Sequence, residues 1–120
     1  MASSKRKCTY LFVRFVERIW RDAETELAGA WTRAGFDWRS DREAVRHGFF
    51  AAFQWAAQSE WTIELEALLE REWMNQPRDQ EWSDVGVLAR HGWNEGRRRI
   101  TAYPHATTAE NDEAMAGLGA

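Results

Sequence analysis

Four stretches of the chain carry apolar residues at helical spacing. In the first, from about Thr9 to Ala34, Phe12, Val16, Ile19, Ala23, Leu27 and Ala30 recur at steps of three and four. Such steps place them on one face of a helix, and Val13, Trp20 and Trp31 widen it. At about 1.5 Å per residue this helix is close to 40 Å long. Gly35 lies just past the last periodic residue, where a left-handed stop suits glycine. Gly29 is a second point at which the helix could break.

The second stretch, Ser40–Gln58, organises the rest. Ser40 and Glu43 have the spacing of a capping box, each side chain serving the other's unpaired backbone N–H. From Gly48 to Gln58 there is no charge. Phe49, Phe50, Phe53 and Trp55, with small residues between them, cover nearly the whole circumference. A helix apolar almost all round is a buried one. Its polar stripe, Glu43, His47, Gln54 and Gln58, pairs at both ends at i,i+4 spacing.

Ser59 is the expected cap of a third helix over 60–75, with Trp61, Leu65, Leu68, Leu69 and Trp73 as its core face. Ile63, Ala67 and Met74 form a separate apolar stripe. Glu72 falls inside the core face, where a carboxylate calls for an Arg partner. Pro77 ends the helix and residues 76–81 form a polar loop. Ser83 is the expected cap of the last helix, about Asp84–Thr101, with Val85, Leu88, Ala89, Gly92, Gly96 and Ile100 inward. Each Gly in a helix costs about 1 kcal/mol relative to Ala, which predicts a close approach to a neighbour at Gly92 and Gly96.

These elements define an all-α fold: a single-domain bundle of about four helices around a buried central helix, residues 41–58. Residues 1–8 read as a basic disordered tail, 9–103 as the bundle, and 104–120 as an acidic, small-residue C-terminal tail. One internal echo stands out. Arg46-His47-Gly48-Phe49 recurs as Arg90-His91-Gly92-Trp93, each in the middle of a predicted helix. Two readings are open, coincidence over four positions or the trace of a duplicated helical hairpin.

Composition sharpens this picture in a few places. Eight Trp and six Phe supply a core from 120 residues, each aromatic burying about 150–250 Å². The lone Cys8 excludes an internal disulfide and fits a reducing cytoplasm. The basic and then apolar start imitates a signal peptide, but Arg14, Glu17 and Arg18 interrupt it. No uncharged run is long enough for a membrane span. The net charge of −3 is unevenly spread: +5 over residues 1–21, −6 over 59–84 and +3 over 85–99. Fourteen of the sixteen cationic side chains are Arg.

Candidate chemistry is sparse. Glu43 precedes His47 by four residues and Glu95 follows His91 by four, which does not give the Glu-x-x-His pairs of a di-iron bundle. One Cys gives no structural zinc set, and Cys8 lies in the predicted tail, where a thiolate is hard to hold in place. No catalytic, cofactor-binding or metal residue is therefore assigned, and no cofactor is expected. A small enzyme with an unrecognised site ranks third among the functions considered. A helix-turn-helix-like DNA regulator using Arg97–Arg99 ranks second. It requires a turn at Gly92, whose spacing also fits a continuous helix, and the acidic balance opposes it.

First is a non-enzymatic protein-binding module. Five Glu between Glu60 and Glu72 give roughly one carboxylate per 4 Å of helix, of the order of the 3.4 Å charge spacing of a DNA strand. Such a surface suits a protein partner that handles nucleic acid. The expected contact residues are Glu60, Glu64, Glu66, Glu70, Ile63 and Met74 on the acidic helix and Arg90, Arg97 and Arg98 on the next. The Ile63/Ala67/Met74 stripe has two open fates, homodimer formation or packing within the chain. No family motif matches these residues, and the one likeness is generic, to compact Arg- and Trp-rich helical proteins of mobile elements. The expected role is a small cytoplasmic accessory or inhibitor protein such as phage and plasmid genomes encode.

Overall fold

A computed structural model describes the backbone of residues 2–102 and the side chains of residues 11–102. The protein is all-α. Its helices are α1 (Ala2–Arg33), α2 (Trp38–Gln54), α3 (Ile63–Met74) and α4 (Trp82–Ala102). Helix α1 therefore takes in residues 2–8, read from the sequence as a tail, and residues 104–120 lie outside the described ones. Among the described residues no helix is long and apolar enough to cross a membrane. The chain divides into two units, residues 1–40 and 41–120.

In the first unit, Val16, Ile19, Trp20, Ala23 and Leu27 of α1 are buried, as their spacing predicts. The expected face loses its two ends: Phe12 is half-buried and Ala30 is exposed. The helix stops at Gly35, the one described residue with positive φ, at 90°. Phe36 N–H donates to the Trp31 carbonyl and Gly35 N–H to that of Thr32, both at 3.0 Å. These two bonds form a Schellman motif. Its usual apolar clasp is present too, with the Trp31 and Phe36 rings 5.7 Å apart. Beyond the turn, Trp38 stacks on Trp20 at 6.2 Å and meets Trp31 edge-on at 5.7 Å. Its indole N–H donates to Glu24 Oε2 at 3.2 Å.

Helix α2 begins three residues earlier than the 41–58 reading and ends four earlier. The cap at its start is Asp37, whose Oδ1 accepts from Ser40 N–H at 3.3 Å. The Ser40–Glu43 capping box does not form, because Ser40 already lies inside the first turn and Glu43 pairs with Arg42 at 2.8 Å. At the other end Trp55 is 39 % exposed. The Ala56 carbonyl, in the turn that follows, accepts from Arg97 Nη1 at 2.7 Å.

The second unit is organised by the crossing of α2 and α4. Ala44, Val45, Gly48, Phe49, Ala51, Ala52 and Phe53 are buried on α2; Val85, Ala89, Gly92, Trp93, Gly96 and Ile100 are buried on α4. The two echoed segments meet each other here. A Cβ on Gly48 would collide with the Ala89 carbonyl, and one on Gly92 with the Val45 carbonyl. Each glycine thus touches the residue three before the other. The next nearest atoms are Trp93 N at 2.9 Å and Phe49 N at 3.0 Å, again at equal offsets. A Cβ on Gly96 would stand 2.6 Å from Ala52 Cβ. The close approach predicted at Gly92 and Gly96 is therefore real, and α4 runs through both without a turn. The 44-residue offset extends to the helix starts, since α2 and α4 both open on tryptophan, Trp38 and Trp82.

Helix α3 starts at Ile63, not at Glu60. Its cap is Thr62, extended at φ −109° and ψ 164°, with Oγ1 accepting from Leu65 N–H at 3.1 Å. Ser59 stays in the connection. Leu65, Leu69 and Trp73 are buried, and Trp61 packs edge-on against Trp93 at 6.1 Å. Asn75 closes the helix two residues before Pro77, through a bond from its N–H to the Arg71 carbonyl.

Candidate functional site

The expected contact residues fall into three groups. Ile63, Glu64 and Glu66 are exposed at the start of α3, with Ile63 at 86 %. Glu60 precedes them in the connection. The Glu66 carboxylate accepts from Trp61 Nε1 at 2.8 Å. Glu70 and Met74 lie at the other end of the helix, Met74 at 67 % exposure. Helical spacing puts Ile63, Ala67, Glu70 and Met74 in one row, turned away from the buried Leu65 and Leu69, with Trp73 at its edge. The apolar stripe is thus open to solvent among the described residues.

The α4 residues diverge. Arg90 is exposed. Arg98 is exposed and pairs with Glu95 at 2.8 Å. Arg97 is half-buried, bonded to the Ala56 carbonyl, with its guanidinium 6.0 Å from the Trp93 ring centre. Its bond closes the end of α2.

Glu70 and Met74 open onto a cleft of about 350 Å³ between the end of α3 and the start of α4. Trp73 and Trp82 line it from the core side, Glu70 and Met74 from α3, and Arg78 and Glu81 from the loop. Arg78 is already engaged. Its guanidinium lies 4.2 Å from the Trp73 ring centre, Nη2 donates to Gln76 at 3.0 Å, and Nη1 lies 3.8 Å from Glu43. The Trp73 indole donates to the Gln80 carbonyl at 3.0 Å, which draws the loop inward.

Behind the cleft stands His47, which sequence spacing places on a polar stripe paired with Glu43. That pairing does not form. The His47 Nε2–H donates to the Leu69 carbonyl at 2.9 Å, tying α2 to α3. The imidazole sits 5.6 Å from the Trp73 ring and 6.2 Å from that of Trp82. Burial holds its pKa below the ordinary histidine value. The Leu69 bond and the Glu72 charge act against that shift, and Arg78 adds to it. Glu72, expected to need an Arg, instead lies within electrostatic reach of this histidine. The Gln54/Gln58 pairing of the same stripe is replaced as well, for Gln58 donates to the Glu60 carbonyl at 3.0 Å.

Sequence reasoning did not find the cleft or the place of Arg78 in its lining. The available signal was the polar loop 76–81 between two tryptophans. Among the described residues no three His, Cys, Asp or Glu side chains converge as a metal site would require. The class defined by fold and surface is an all-α protein with an acidic, partly apolar outer helix face. No protein-family model, curated protein or solved structure matches the chain.

Proposed function

We propose that the protein is a non-enzymatic binding module for another protein, using the outer face of α3 and the adjoining α4. The observation that supports this most directly is the exposure of Ile63 and Met74, at 86 % and 67 %. They lie in a row on a helix whose opposite face is closed by its own core. Exposed apolar side chains rimmed by charge mark interaction surfaces. The rim here is acidic, and among the described residues the Glu60, Glu64 and Glu70 carboxylates have no hydrogen bond or ion pair. That favours a basic partner, and carboxylates at this density suit a protein that handles nucleic acid. The setting is cytoplasmic and the role that of a small accessory or inhibitor protein of the phage or mobile-element kind. The DNA-regulator alternative is weakened by the unbroken course of α4 through Gly92.

The test is affinity capture from extracts of the native host, with mass spectrometry. The capture is repeated with the Glu64→Lys/Glu70→Lys variant and at high salt. A nucleic-acid-handling protein that is lost under both conditions supports the proposal, because screening weakens exposed charge pairs. Equal capture by the variant overturns it.

A further inference from the structure

We propose that the cleft between α3 and α4 receives a single basic side chain, Arg or Lys, from the partner protein. This deepens the protein-binding reading and rests on it for the existence of such a partner. Three features of the cleft argue for a cation. Its volume of about 350 Å³ lies near the lower end of the roughly 300–1,000 Å³ usual for ligand sites, ample for one long side chain. Its carboxylates, Glu70 on α3 and Glu81 in the loop just before α4, come from different segments, and among the described residues neither has a hydrogen bond or ion pair. Its one cation, Arg78, is held over Trp73 and by Gln76, with Glu43 nearby.

The apolar part of the lining completes the match. Lys and Arg carry a hydrocarbon stem below the charge and lay it along apolar surface. Met74, 67 % exposed at the cleft, offers that surface beside Glu70. The stem would run over Met74 while the charged head reaches Glu70 and Glu81. The net charge of −6 over residues 59–84 draws cations toward this end of the molecule and repels anions.

The full-length protein, ¹⁵N-labelled at tryptophan, would be titrated with blocked Gly-Arg-Gly and Gly-Lys-Gly tripeptides. The matching citrulline tripeptide, equal in shape to the arginine one but uncharged, is the control. The expected result is a saturable shift of the Trp73 and Trp82 indole resonances with the basic peptides and none with citrulline. The Glu70→Gln/Glu81→Gln variant should bind at least about tenfold more weakly, since one lost charge-assisted hydrogen bond is already worth that factor. Circular dichroism checks its fold, and Glu81→Gln alone serves if the double variant is not folded. No saturable shift, an equal shift with citrulline, or unchanged affinity in the folded variant would overturn the proposal. Capture of a host protein that is lost with Glu64→Lys alone, while the cleft stays silent, sinks only the cleft. A cleft that binds the peptides in a chain that captures nothing sinks the broader reading instead.

Discussion

Gly48 and Gly92 face each other's backbones where α2 crosses α4, each against the carbonyl of the residue three before its counterpart. Rigid backbone on both sides leaves no room for a methyl group. Gly48→Ala and Gly92→Ala are each expected to destabilise the protein by about 2 kcal/mol or more, since overpacking outweighs the helical gain of about 1 kcal/mol. Gly29→Ala is the control. Its Cβ would meet only the flexible end of Arg33, at 3.2 Å, so the helical gain should dominate. Urea unfolding of the three variants checks the contrast; equal effects would deny the crossing.

The cap of α3 is open to a similarly simple comparison. Thr62→Ala removes the acceptor for Leu65 N–H and should cost about 1 kcal/mol. Ser59→Ala should change stability by less than about 0.5 kcal/mol, as expected for a surface site away from any cap. The reverse order in thermal melts would return the helix start to Ser59.

His47 makes stability depend on pH. Burial lowers its folded-state pKa, so the unfolded chain binds the proton first, near the ordinary value of 6.5. Its contribution is complete above that pH and is lost as the pH falls through the lowered folded value. The groups acting on it are Glu72, which favours the charged form, and Arg78, which opposes it. Urea midpoints measured between about pH 5 and 8 should fall on the acid side. His47→Gln, which can still donate to the Leu69 carbonyl, should flatten that dependence. An unchanged slope in the variant would mean that another group is responsible.

The two neighbouring arginines of α4 should behave differently. Arg97→Ala strips the Ala56 carbonyl of a charge-assisted bond and should cost about 1.5–3 kcal/mol. Arg98→Ala loses only an exposed i,i+3 pair with Glu95, worth less than about 0.5 kcal/mol. Chemical denaturation distinguishes them. A loss for Arg98 matching that for Arg97 would remove the assigned role in closing α2.

Stop signals were legible where they act within one turn. Gly35 ends α1 because a left-handed residue there lets two N–H groups reach back to free carbonyls. Asn75 closes α3 just short of Pro77. The caps were less legible: Asp37 and Thr62 compete with Ser40 and Ser59 only three residues away, local spacing does not choose between them, and Ser83, the expected cap of the last helix, lies inside α4, which starts at Trp82. The buried face of α1 was read correctly over Val16–Leu27 and failed at Ala30, because periodicity does not say where a neighbour ends. Of the proposed contact residues, the α3 set was visible as a second stripe. The diversion of Arg97 to Ala56 was not, since its acceptor lies in the turn after α2, 41 residues away.

By itself the sequence determined four helices, their apolar faces, the stop at Gly35 and the need for close contact at Gly92 and Gly96. Each of these follows from the spacing of side chains along one helix or from the backbone freedom of one residue. Tertiary structure decided that Gly48 and Gly92 serve the same crossing, that His47 bonds to Leu69 instead of facing Glu43, and that Glu70 and Glu81 share a cleft. Those outcomes depend on pairs far apart in the sequence, whose distances are set by the packing of large side chains around backbones that approach closely.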